Sequence, residues 1–157
     1  MKMQIQDFIN TIEEWAPTSQ AENFDNVGLL VGDPNLNLTG ALITLDTTEQ
    51  VVIEAIEKNC NLIVSFHPII FSGIKKLTTN SYVEKTVLKA IENKISIYSI
   101  HTSLDNHVEG VNYKISEKLG LKNSQILIPN KENNHIGMGR IGDLEKSLEE
   151  KEFLEFL

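Results

Sequence analysis

The sequence has one cysteine, no long apolar run and no basic stripe, and each absence removes a class of protein. Cys60 stands alone and cannot close an intramolecular disulfide. The opening residues Met1-Lys2-Met3-Gln4-Ile5-Gln6-Asp7 lack the apolar core of a signal peptide, so a reduced, cytoplasmic protein is expected. No stretch approaches the roughly 20 apolar residues of a membrane-spanning helix. A formal net charge of -8 has the wrong sign for grasping a phosphate backbone, so neither a membrane nor nucleic acid is an expected partner. P-loop spacing, a Ser/His/Asp order, Cys/His zinc-finger spacing, low-complexity tracts and internal repeats are missing too.

What is there suffices for one ordinary core: 157 residues, 41% of them hydrophobic. Ile5, Phe8, Ile9, Ile12 and Trp15 fall at helical spacing and predict an amphipathic helix stopped near Pro17, its stripe in the core. Asn26 to Pro34 encloses a short apolar strand between turn residues. Further strands are expected at Leu42 to Leu45, Leu62 to Val64 and Ile95 to Ile100. Between them, Thr47-Thr48-Glu49-Gln50 fits a capping box with Thr47 as cap for a helix over Val51 to Asn59. Ser81-Tyr82-Val83-Glu84 fits a second box, for a helix reaching about Asn93. A third helix is expected to start at Asn106-His107-Val108-Glu109 and to end at Gly120. Strand and helix alternate as in a doubly wound, largely parallel α/β sheet.

That arrangement sets Asp46, His67 and His101 at the carboxyl ends of strands, where α/β folds keep their chemistry. Pro68 disfavours helical geometry at His67 and holds it extended as its strand ends. Imidazole and carboxylate converging on one sheet edge suggest a divalent cation site. Each residue also has a plainer reading. His67 could be a hydrogen-bonded edge histidine and Asp105 a helix-entry cap, while His101 could orient a ligand through its second nitrogen. Asp25, Asn26 and Asp46 stand before turns, where such side chains usually satisfy local backbone donors. Lys75 and Lys76 could hold an anionic substrate, although an exposed lysine pair is more often just solvated, and His107 and His135 read as surface residues. After Pro129 comes a polar loop and the glycine-rich Gly137 to Gly142, whose spacing is not a dinucleotide fingerprint. Ser147 to Leu157 reads as a helix whose apolar side chains have nothing following to pack on.

Four segments carry a resemblance. Asn23-Phe24-Asp25-Asn26-Val27-Gly28-Leu29-Leu30-Val31-Gly32 resembles the WDNxGLxVG opening of the Nif-three-like family, often called GTP cyclohydrolase 1 type 2. Ser65 to Phe71 is similar to its SHHPLIF segment. His101 to Asp105 with Gly110-Val111-Asn112 is similar to HTxxD…GVN, and Gly137 to Gly142 to GxGRIG.

The resemblance implies a three-layer α/β/α fold with a mixed, largely parallel sheet, forming one lobe over 1–142 with the start of a helix at 143–157. It also implies a homohexamer carrying two divalent metal ions, zinc or similar, per subunit. His67 and Asp105 match metal ligands of the family, and His101 is the candidate for moving a proton during hydrolytic attack on a nucleotide or related heterocycle. Phe66 takes the place of the first histidine of the usual pair, and the family's remaining histidine and glutamate ligands have no counterpart before Leu157. The chain is therefore expected to represent the first part of a family member and to hold fewer ions. The alternative expectation is a non-catalytic oligomeric assembly or regulatory protein of the same fold.

Overall fold

The computed structural model describes residues 2–157, which form two compact units divided between Ser103 and Leu104. In the first, α1 (Ile5–Trp15), β1 (Gly28–Val31), β2 (Ala41–Thr44), α2 (Glu49–Glu57), β3 (Leu62–Ser65), α3 (Tyr82–Glu92) and β4 (Ser96–Ser99) build a four-stranded sheet in the order β1-β4-β3-β2. β2, β3 and β4 run parallel, and β1 pairs antiparallel with β4 at the edge. The sheet is thus mixed and largely parallel, as expected.

Every residue of β3 and β4 is buried, which is what continuous apolar runs covered on both faces produce. Ile63 and Ile97 face Val52 and Ala55 of α2 and Val87 and Ala90 of α3. Alternation turns Tyr98 to the opposite face, where its hydroxyl donates to Glu13 of α1 at 3.2 Å. Three layers result, helix pair, sheet and helix. Ile5 and Ile9 lie in the core, whereas Trp15, read from its spacing as core, is the last residue of α1 and is 48% exposed.

Helix starts deviate from expectation in an instructive way. Thr48, not Thr47, caps α2, accepting from the Val51 amide at 3.3 Å, while Thr47 is buried with its hydroxyl unpartnered. Ser81 caps α3 by accepting from the Glu84 amide at 3.2 Å, but the Glu84 carboxylate turns to the loop and accepts from the amide of Thr78 at 2.9 Å. Only half of that box forms.

The expected helix start at Asn106 is corrected: the chain becomes helical immediately after β4, as α4 (His101–Asn106), which runs across the boundary between the units. In the second unit the chain turns at Gly110, where a Cβ would meet the Leu104 carbonyl oxygen at 1.8 Å. A side chain cannot stand there. α5 (Val111–Lys118) follows and ends at Gly120, whose φ of 67° supplies the left-handed cap expected of it. β5 (Lys122–Pro129) and β6 (Gly137–Asp143) then form an antiparallel hairpin, so the glycine-rich stretch is a strand. The last helix, α6, spans Glu150–Phe156. Among the described residues no helix is long and apolar enough to cross a membrane.

Candidate functional site

Because β2, β3 and β4 are parallel, Asp46, His67 and His101 all emerge from the carboxyl edge of the sheet. β1 runs the other way, pairing Gly28 with Ser99, so the segment preceding it delivers Asp25 to the same edge. Four chemically active side chains therefore meet within the first unit.

They form two pairs. His101 Nδ1 lies 2.8 and 2.9 Å from the two carboxylate oxygens of Asp25, and His67 Nδ1 lies 2.8 Å from Asp46 Oδ1. The two imidazole centroids are 5.5 Å apart with the rings inclined at 71°. Phe66 packs against both, its centroid 5.0 Å from His67 and 5.4 Å from His101, and Phe71 approaches His101 at 6.5 Å. Aromatic rings prefer such edge-to-face contacts.

The pairs differ in environment. The Asp25 side chain is fully buried, and it also accepts from the amides of Asn26 at 2.8 Å and Thr102 at 3.1 Å and from the Thr102 hydroxyl. The hydroxyl in turn accepts from the Glu22 amide at 2.9 Å. Burial pushes the Asp25 carboxyl upward, but the hydrogen bonds from Thr102, His101 and Asn26 outweigh it and hold the group below its ordinary value. Asp46 and His67 are by contrast 60% and 47% exposed, so water competes for their contact. His101 also has a φ of 26°, a left-handed conformation that strains any residue but glycine. Such strain costs about 1–3 kcal/mol and persists only where surrounding contacts impose it. Here the His101 amide donates to the Phe66 carbonyl at 3.0 Å, and Asp25 grips the ring.

The first unit thus brings together His67 and His101, and adds Asp25 and Asp46, which read in the sequence as local turn carboxylates. Only the antiparallel return of β1 reveals Asp25 as a partner for the histidine that follows β4. Asp105 stands on the part of α4 belonging to the second unit, half-buried, its carbonyl accepting from Asn112 Nδ2 at 3.1 Å. Lys75 and Lys76 are exposed, as is His135. His107, read as a surface residue, is half-buried, and its ring accepts from the Glu109 amide at 3.2 Å because the turn before Gly110 folds over it. Among the described residues no three His, Cys, Asp or Glu side chains converge as a group able to hold a metal.

A mixed three-layer α/β sheet with carboxylate-anchored histidines on its carboxyl edge defines the class: an α/β protein with an edge-of-sheet imidazole site. More particularly, the chain belongs to the Duf34/NIF3 (NGG1p interacting factor 3) family, whose model matches residues 3–157. A relative from Clostridium acetobutylicum named GTP cyclohydrolase 1 type 2 homolog is 41% identical over 156 residues, covering 99% of this chain and 58% of its own length. A homolog of the same name from Clostridium perfringens is 36% identical, covering 99% and 59%. The chain thus spans just under three fifths of the clostridial relatives. Among solved structures, a hypothetical protein of Staphylococcus aureus superposes with a TM-score of 0.91 at 30% identity, covering 99% of this chain and 63% of that one. Reduced HcgD from Methanocaldococcus jannaschii superposes with a TM-score of 0.83 at 30% identity, covering 99% and 59%.

Proposed function

We propose that this chain binds a divalent metal ion at the carboxyl edge of its sheet and serves hydrolytic attack on a nucleotide or related heterocycle. The observation that supports this most is that both edge histidines, His67 and His101, have Nδ1 tied to a carboxylate, which directs Nε2 to other partners. His67 is the proposed ligand in the first unit, and Asp105, in the second, is a proposed ligand on the motif resemblance alone. When bound, a divalent cation polarises water and carbonyl oxygens and brings the ionisation of water toward neutral pH. His101, one ring away at 5.5 Å, holds and releases the proton at Nε2, and Asp25 balances the charge it then carries. Phe66 and Phe71 give the edge an apolar wall suited to a flat heterocycle.

The donor set fits such an ion incompletely. Phe66 offers no lone pair, and a firmly held zinc takes three or four protein donors. That shortage favours a second reading, a non-catalytic oligomeric assembly or regulatory protein of the same fold. Homo-oligomerisation, as a hexamer by resemblance, belongs to both readings, and the exposed Ile43 on edge strand β2 and Leu45 just beyond it support it.

The names of the clostridial relatives make GTP the first substrate to test. The experiment is elemental analysis of the purified chain with a GTP turnover assay on the same sample. Metal-dependent turnover that is lost in His101→Ala supports the hydrolase reading. Oligomers without turnover under metal saturation support the second.

A further inference from the structure

We infer that Asp25 is a positioning residue that locks His101 in one tautomer, with the proton on Nδ1 and the lone pair on Nε2. The inference deepens the proposed function, on which it rests only for the use made of that lone pair.

Asp25 is fully buried and gathers four kinds of donor: the His101 ring, the Thr102 amide, the Thr102 hydroxyl and the Asn26 amide. A carboxylate so surrounded stays ionised, and an ionised carboxylate only accepts. His101 Nδ1, within 2.9 Å of both its oxygens, must therefore be the donor. In the neutral ring that leaves Nε2 bare. The Thr102 hydroxyl cannot rotate away from its task, because it simultaneously accepts from the Glu22 amide. The strain at His101, φ 26°, falls at the first residue of α4, one residue beyond the end of β4. Contacts from Asp25 to His101 and to Thr102 bracket the strained residue and hold it. Asp46 cannot act as firmly on His67, since both side chains are about half exposed and water competes for the contact.

The test reads the proton directly. Long-range proton–nitrogen spectra of the 15N-labelled 157-residue chain, freed of metal with a chelator, assign the protonated nitrogen of each histidine ring. His101 is expected to carry its proton on Nδ1. In Asp25→Asn the amide can donate to Nδ1, and His101 is expected to shift to the Nε2-protonated form. Asp46→Asn is expected to leave His101 unchanged. A proton on Nε2 in the unsubstituted chain overturns the inference, as does a folded Asp25→Asn in which His101 keeps Nδ1–H. Should Asp25→Asn fail to fold, the unsubstituted spectrum alone decides. Because no metal or turnover enters the measurement, failure of the proposed function leaves this result standing, and the reverse holds as well.

Discussion

His67 and His101 each stand two residues beyond one of a pair of serines that end neighbouring parallel strands, Ser65 of β3 and Ser99 of β4. The register thus delivers both to the same edge, where their ring centroids stand 5.5 Å apart, close to the roughly 5 Å spacing of neighbouring strands.

Metal binding by this chain is expected to be weak and substoichiometric. Phe66 removes one donor, and water must fill positions that protein ligands would otherwise take. Phe66→His alone is expected not to restore tight binding or turnover. Elemental analysis after extensive dialysis checks this, and about two firmly held ions per chain would contradict it.

Loss of the carboxylate behind His67 should weaken whatever binding remains. Removing such an anchoring partner typically costs about 10–100-fold in affinity. Asp46→Asn is expected toward the lower end, because that pair is half exposed. Competition against a chromophoric chelator measures the ratio, and an unchanged affinity would remove His67 from the site.

Acid stability should carry the signature of Asp25. Its folded carboxyl titrates below the ordinary 3.8, so its stabilising contribution is present above the unfolded value and is lost as pH falls through the folded one. Between about pH 5 and pH 2 the urea midpoint of the unsubstituted chain is expected to fall more steeply than that of Asp25→Asn. Parallel pH dependences would show that the carboxyl is not depressed.

Association should scale with exposed apolar surface. Ile43 and Leu45 are 68% and 60% exposed in the first unit, and Leu154, Phe156 and Leu157 are more than half exposed in the second. Light scattering is expected to give a mass above 17.7 kDa, reduced by Ile43→Ser with Leu45→Ser. A clean monomer at high concentration would argue against an oligomer.

Much of the first unit was legible because its signals are local. Apolar runs bounded by turns marked β2, β3 and β4 within a residue or two, and the stripe of α1 needed only its spacing. The hairpin β5–β6 was not foreseen, because Gly137, Gly139 and Gly142 mask strand character that comes from pairing with Ile126 and Ile128. The adjacent threonines Thr47 and Thr48 look alike in sequence, and only burial of the first decides which caps. The histidines showed at their strand ends, whereas their carboxylates did not. Asp25 and His101 are paired by sheet topology, which periodicity does not encode.

The distance along the chain between Asp25 and Thr102 also orders events during synthesis. A ribosome releases the N-terminal residues first, and strands that must close a long loop pair late. Asp25 therefore waits, hydrated and without its donors, while β2, β3 and their helices are made. Only when β4 and the first turn of α4 have emerged can the carboxylate leave water. A nascent chain halted before Ile100 holds all four strands and the Asp46–His67 pair but not the His101 ring, so the Asp25–His101 pair is the last part of the edge that this unit acquires.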